Sequence, residues 1–464
     1  VPSLLTKSAL VCFVSLFVAA TSSAAQATDL TADEVARRAE ATSYEIRARA
    51  DERQAAQATV DQALAAYLPR LSGVARYTRL SDVKATSLGN LVVAPDAQPG
   101  NNPDPTRLLA MPLTFPTITN QYLAQATLQV PLSDYLLRIP QAHAAASSNA
   151  RSMALAEKAA RLRVATEARV GYYAWLRAGM QVRIAEQSVE QARGHLEDVK
   201  HAAAAEAASQ ADVLRVESQV AAAELLLARA RNLAVVTETH LRTMMHDDSG
   251  QAYGSQEDLA APVATELPEA RAAELLCSEA ATQRLELAAL NESANASREQ
   301  AKVALSPGLP RLDAVGNAVY ADPNPRIFPQ SDSFRGTWDV SVQLSWAPTD
   351  VPAARAAKRA ALARAAQLED QRAALLDGIK LEVTQAAQAL AEARVAVETA
   401  RRGQHAAEES CRIRRVLFQN GRATSVELTD AETELTRARM DLLGAKIDVR
   451  VAHVRLVHAL GRDR

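Results

Sequence analysis

Aromatic residues make up only 4% of this 464-residue chain, so a thick core built on stacked rings is excluded as its main source of stability. The hydrophobic fraction of 48% is carried mainly by Ala, Leu and Val. Small side chains of that kind suit long helices packed at close range. A formal charge of -2 leaves no basic excess for nucleic acid. Cysteine is scarce: Cys12 lies in the leader, and Cys277 and Cys411 fall far apart in helical patterns. Burial as small hydrophobes accounts for that pair better than a disulfide, which stays open. The His spacings, such as His195 to His201 and His240 to His246, do not put an i, i+4 zinc pair on a helix face. There is no phosphate-binding glycine loop. Ser81-Asp82-Val83-Lys84 matches Ser-x-x-Lys only formally, without companion motifs. Catalysis, a cofactor and a metal are therefore not expected.

No apolar run beyond the first residues is long enough for a transmembrane helix. Lys7, the apolar stretch 9–20 and Ala25-Gln26-Ala27 read as an export signal over 1–27, with the mature chain starting near Thr28. Cys12 follows Val11, which does not resemble a lipid-attachment site.

What the chain does contain is itself, twice. Leu68-Pro69-Arg70-Leu71 recurs as Leu309-Pro310-Arg311-Leu312, a displacement of 241 that also places Tyr44-Glu45-Ile46 on Leu285-Glu286-Leu287. Further on, 128–134 falls on 344–350 at 216, Ser209-x-x-Asp212 on Thr424-x-x-Glu427 at 215, and His240 on His453 at 213. A shorter loop in the second copy accounts for the drop in displacement. The expected organisation is repeat 1 over 28–246, a linker over 247–269 and repeat 2 over 270–464.

Each repeat reads as helix, two strands, long helical hairpin. Thr31 with Glu34 caps a helix expected to run to about Tyr67, where Pro69 stops it. Strict alternation then sets Leu71, Gly73, Ala75 and Tyr77 against Ser72, Val74, Arg76 and Thr78. After a loop rich in Pro and Asn, Tyr122, Ala124, Ala126, Leu128 and Val130 oppose Gln121, Gln125, Thr127 and Gln129. In repeat 2, Leu312 to Tyr320 alternates against Asp313, Val315, Asn317 and Val319, and Trp338, Val340, Val342, Leu344 and Trp346 oppose Asp339, Ser341, Gln343 and Ser345. From about Leu136 to Ala205 and Val351 to Phe418, Pro occurs only in the first turn, as Pro140 and Pro352. A helix of that length spans on the order of 100 Å. Short polar turns end both helices, and Ser209 with Asp212 and Thr424 with Glu427 cap the returning ones.

Bulky apolar residues on one strand face and Asp, Ser and Gln on the other fit a transmembrane barrel with a watery lumen. An ordinary sheet with one face on a soluble core gives the same pattern. The export signal and the absence of other sheet partners favour the barrel, yet four strands cannot close one, so chains must pool them.

The duplicated order, the strand ends LQVPLSD and LSWAPTD, and the turn Gly421-x-x-Thr424-x-x-Glu427-Leu428 resemble the TolC-like outer-membrane efflux proteins over essentially the whole mature chain. The resemblance implies a mainly α protein with a small β part. Its homotrimer would pool strands into a 12-stranded barrel in outer-membrane lipid of a Gram-negative bacterium, continued by a helical tunnel through the periplasm. It implies a passive exit duct for tripartite efflux or type I secretion, fed through a periplasmic adaptor by an inner-membrane transporter. Glu206 standing where copy two has Gly421 departs from the pattern, as do the transitions Asp134-Tyr135 and Asp350-Val351, which lack the Phe and Gly often found there.

Candidate residues follow. At the tips, Glu206, Ser209, Asp212, Gly421, Arg422, Thr424, Glu427 and Asp430 could gate the entrance and dock the adaptor, since charged rings close and select pores. Asp212 and Glu427 are equally explained as capping partners, and Gly421 by a turn needing positive φ. Gln125, Gln129, Asp313, Asp339 and Gln343 are expected in the lumen, and Tyr122, Tyr320, Trp338 and Trp346 at the membrane interfaces. The alternative is a periplasmic adaptor or coiled-coil scaffold without a barrel. An adaptor predicts one hairpin inside a β-rich domain, and a scaffold leaves the Trp338 to Trp346 face without a partner.

Overall fold

The computed structural model describes residues 28–82, 87–95, 100, 102, 105–114, 118–206, 208–255, 257–259, 261 and 272–462. The leader 1–27 and Lys84 of the Ser-x-x-Lys match lie outside them. The order is β1 (Thr28–Leu30), α1 (Ala32–Thr42), α2 (Tyr44–Ala65), β2 (Arg70–Arg79), β3 (Ser87–Val93), β4 (Leu109–Thr114), β5 (Asn120–Val130), α3 (Asp134–Leu137), α4 (Ile139–Ala204) and α5 (Gln210–Met245). There follow β6 (Tyr253–Ser255), α6 (Ala272–Gln283), α7 (Leu285–Leu305), β7 (Arg311–Asp322), β8 (Arg335–Ser345), α8 (Val351–Gln419) and α9 (Ser425–Ala459). The series α1-α2-β2-β5-α4-α5 thus recurs as α6-α7-β7-β8-α8-α9. The chain divides into two compact units, and α4 and α8 each contribute to both.

The first unit takes the residues up to Ser43, then Arg163–Pro268 and Ala386–His458. Its core is a set of alanine-rich seams. Val189, Ala192, Val220 and Ala223 join α4 to α5, and Ala407, Cys411, Ala431, Leu435 and Ala438 join α8 to α9. Ala192, Val220 and Ala223 correspond to Ala407, Leu435 and Ala438, each 215 positions on. The repeat is therefore one of packing as well as letters. Small residues on facing ridges let the helix axes approach, and each buried Val or Leu contributes roughly 1.5–3 kcal/mol. Beside these helices β1 pairs in parallel with β6, and the Tyr172 hydroxyl fastens both strands, 3.1 Å from Leu30 O and 2.9 Å from Ser255 Oγ.

The second unit holds Tyr44–Leu162, Glu269–Gln385 and Ala459–Arg464. Here α2 packs on α4 through Ala56, Val60 and Ala150, with Arg53 Nε 2.7 Å from Glu157. Beyond the helices lies an antiparallel sheet in the order β2-β5-β7-β8. A hairpin joins each repeat's own strands, β2 to β5 and β7 to β8, and β5 pairs with β7 between them.

Three expectations need correction. The opening helix is two helices, because Ser43 (ψ 125°) is extended, and α6 and α7 part likewise at Arg284 (ψ 115°), 241 positions on. Each break brings donors to the end of a return helix: Thr42 Oγ1 is 3.1 Å from Met245 O, and Arg284 Nη1 is 3.4 Å from Ala459 O. These are the last carbonyls of α5 and α9, which no turn of helix can satisfy. The two-strands-per-repeat count also falls short, since the long loop of repeat 1 carries the β3–β4 hairpin and β1 pairs with β6 in the linker. Three-residue strands show no period, and Pro112 in β4 argued against a strand there. Finally, Asp134 to Leu137 form a separate turn of helix ahead of α4.

Candidate functional site

Two surfaces, one in each unit, carry the candidate residues. In the first unit, Ala205 and Glu206 close α4 by donating to His201 O (3.1 Å) and Ala203 O (3.0 Å), and Glu206 takes φ 58°. Ser209 then caps α5 reciprocally: Asp212 N donates to Ser209 Oγ (3.2 Å) and Ser209 N to Asp212 Oδ2 (3.0 Å). The Ser209 hydroxyl, which donates to Asp212 Oδ2 at 2.6 Å, and then the Ser209 N–H hold the Asp212 carboxyl below its ordinary pKa. The second tip repeats the construction. Gly421 takes φ 67°, Arg422 N reaches Leu417 O at 2.8 Å, and Thr424 N donates to Glu427 Oε2 (3.1 Å) while Glu427 N donates to Thr424 Oγ1 (3.3 Å). Arg414 adds an ion pair to Glu427 at 3.0 Å. The side chains of Glu206, Arg422 and Asp430 are exposed and meet no charged partner among the described residues.

Behind the tips lies a layer that the sequence did not announce. His195 of α4 is 4% exposed, with Nε2 3.1 Å from Ser425 Oγ at the start of α9 and its ring 5.1 Å from Phe418. Its Nδ1 has no partner among the described residues, nor has Oγ1 of buried Thr429. Burial, with Arg415 nearby, pushes the His195 pKa down, and Asp198 opposes them. Glu432, also buried, has its carboxyl pushed up by burial against the pull of Arg415 at 3.0 Å. His195 thus ties the hairpin of repeat 1 to that of repeat 2. In sequence His195 invites a test only as a metal ligand, and nothing there pairs it with Ser425.

The second surface is the sheet, and its register decides what the alternation meant. Antiparallel partners share a face. Following Leu71↔Leu128↔Gly316↔Val340 and the rows on either side collects every apolar set on one face. Gln125, Gln129, Asp313, Asp339 and Gln343 all fall on the opposite face. A polar network crosses that face: Thr127 Oγ1 donates to Asn317 Oδ1 (2.9 Å), Asn317 Nδ2 to Asp339 Oδ2 (3.0 Å), and Arg326 from the β7–β8 loop also pairs with Asp339. Asp313 is held by Arg311 at 3.0 Å.

The apolar face has no cover among the described residues. Trp338 is 78% exposed and Val340 73%, far beyond what an isolated surface side chain requires. Aromatic rings mark both its ends. Tyr77 and Tyr122 lie 5.1 Å apart, and Phe334 is 5.8 Å from Tyr122 and 5.3 Å from Tyr320, next to the loops. At the helix end, Tyr67 stacks on Tyr135 and Trp346 Nε1 donates to Gly308 O at 3.2 Å. Trp338 and Trp346 are about 27 Å apart along the strand, which at a tilt of about 35–45° is a height of roughly 19–22 Å, most of the ~25 Å apolar band of an outer-membrane barrel. No helix among the described residues is long and apolar enough to cross a membrane.

Comparison with known proteins agrees with this geometry. The profile of the family described as Outer membrane efflux protein matches residues 35–245 and 276–462. The chain belongs to that family. It is an outer-membrane channel subunit of tripartite efflux, seated in the outer membrane and extending into the periplasm, and membership implies work with a periplasmic adaptor and an inner-membrane pump. The fold is that of solved channels. CusC shares 16% identity at a TM-score of 0.77, covering 94% of this chain and 92% of that one. The CmeC outer membrane channel of Campylobacter jejuni shares 13% at 0.74, covering 99% and 94%, and VceC of Vibrio cholerae 16% at 0.71, covering 93% and 96%. No curated protein matches the efflux protein in sequence.

Proposed function

We propose that the efflux protein works as a homotrimer whose three sheets close into one 12-stranded barrel, continued by its helical hairpins as a periplasmic tunnel. The observation that carries this reading is the register of β2-β5-β7-β8, which leaves, among the described residues, an uncovered apolar face, an opposite polar face and two open edge strands. Open edges cannot persist in lipid, because every unpaired amide there costs several kcal/mol. Edge-to-edge closure between copies satisfies them all. The helices also carry exposed apolar side chains: α5 exposes Leu225, Leu233, Val235 and Val236, and α8 exposes Leu381 and Val395.

In this reading Gln125, Gln129, Asp313, Asp339 and Gln343 line the lumen, and Tyr122, Tyr320, Trp338 and Trp346 sit at the interfaces. The tips around Glu206, Ser209, Asp212, Gly421, Arg422, Thr424, Glu427 and Asp430 form the entrance and the adaptor's docking site. The duct is passive, an inner-membrane transporter supplies the energy and the choice of cargo, and 1–27 is removed on export as a signal peptide. Single-channel recording in planar bilayers tests the entrance. Asp430→Asn with Glu427→Gln raises conductance if these charges hold it closed. Unchanged conductance with intact channels would leave Glu427 as a cap only.

A further inference from the structure

One row of the sheet stands apart in charge. The pairs Arg76↔Leu123, Leu123↔Ala321 and Ala321↔Arg335 place Arg76 and Arg335 at the same level on opposite edge strands, β2 and β8. Parity puts both side chains on the polar face, since Arg76 alternates with Val74 and Ser72, and Arg335 with Thr337 and Asp339. Both are exposed, and neither guanidinium has a partner among the described residues. The acids of that face are occupied: Asp313 by Arg311, and Asp339 by Arg326 and Asn317. Arg70, two rows beyond Val74 on β2, is also without a partner among the described residues. The strands' polar face is therefore cationic, and its charge is densest beside the loops.

We infer that Arg76 and Arg335 form an anion-recruiting ring at the exit of the barrel, suited to small molecules carrying several phosphate or carboxylate groups. The inference rests on the closed barrel proposed above. When edge strands of neighbouring copies meet, β8 of one chain lies beside β2 of the next with the register stagger that barrel closure requires, so three copies spread six such arginines around the loop end of the polar surface rather than side by side. With the acids of that face already paired, these guanidiniums leave the loop end of the surface positive, and rings of Arg or Lys are how pores favour anions. The planar guanidinium forks match phosphate and carboxylate oxygens two at a time.

The test is block of single-channel current by inositol hexakisphosphate added on the barrel side of a planar bilayer. The native chain is expected to be blocked, while hexaamminecobalt on the same side has little effect. Arg76→Gln with Arg335→Gln should raise the half-blocking concentration roughly tenfold or more, as expected for losing several partly solvated ion contacts at once. Arg76→Lys with Arg335→Lys should retain most of the block, and Arg79→Gln, whose side chain lies on the apolar face near Asn120, should leave it unchanged. Open channels that hexaamminecobalt blocks better, or polyanion block untouched by the double Gln variant, would overturn the ring. Failure of the native chain to form any channel would overturn the closed barrel instead.

Discussion

The two hairpins of the efflux protein descend from one pattern and have been put to different use. α9 leaves none of its described large hydrophobic side chains exposed and buries Thr429 and Glu432 as well, whereas α5 exposes Leu214, Leu225, Leu226, Leu233, Val235 and Val236. Their counterparts show the same shift: Glu217, 215 positions before Glu432, is exposed. One return helix became an internal strut with a polar layer behind its tip. The other kept an exposed apolar face. The backbone records the divergence at two turns, where Glu206 (φ 58°) and His246 (φ 50°) of repeat 1 stand opposite Gly421 (φ 67°) and Gly461 (φ 74°) of repeat 2. The left-handed conformation is kept in all four places, although only two of them have the residue that adopts it freely.

Substitutions can break this comparison. The largest effect is expected at Gly461, where an added Cβ would meet Gln283 C at 3.0 Å and Arg284 N at 3.1 Å in a backbone conformation that already disfavours it. Gly461→Ala should cost about 3 kcal/mol, read as a drop in Tm in detergent, while His246→Ala stays within about 1 kcal/mol of neutral. Next comes the buried layer. Arg415→Met strips Glu432 of its cation and should cost about 2 kcal/mol. The counterpart Lys200→Met, which loses only an exposed pair with Glu197, should change stability by about 0.5 kcal/mol or less.

A third effect is a slope with pH. The folded pKa of His195 lies below the ordinary value of 6.5, so the unfolded chain binds the proton first. The contribution of neutral His195 is complete above pH 6.5 and is lost as pH falls through the lowered folded value. Glu432 works in the opposite sense below its own raised value. Protease cleavage of the tips should accelerate as pH drops below about 6.5, and His195→Gln should flatten that rise. The smallest effect is at the turns themselves: Glu206→Gly should stabilise by about 1 kcal/mol and Gly421→Ala destabilise by as much. Destabilisation by both substitutions would mean that the Glu206 side chain contributes something the turn geometry does not.

Much of this was legible in the letters, for reasons that are local. Alternation gave the four strand faces because a pleat has a period of two, and the caps at Ser209 and Thr424 were visible because a reciprocal cap spans four residues. What escaped depends on partners far away in the chain. The breaks at Ser43 and Arg284 exist to reach Met245 O and Ala459 O, and His195 acquires its role only when α9 brings Ser425 beside it. The arginine row required the pairing of β5 with β7, which alternation within a strand cannot specify. The β3–β4 hairpin was hidden by its own prolines.

The central claim is that four strands per chain become one barrel only in company. The decisive measurement is the mass and location of the mature protein, separating inner from outer membrane and weighing the detergent-extracted species. The account predicts an outer-membrane trimer that loses its assembly when the exposed apolar face is charged, as in Val340→Glu. A soluble or inner-membrane monomer would mean that the Trp338 to Trp346 face never meets lipid, and the pooled barrel would have to be given up.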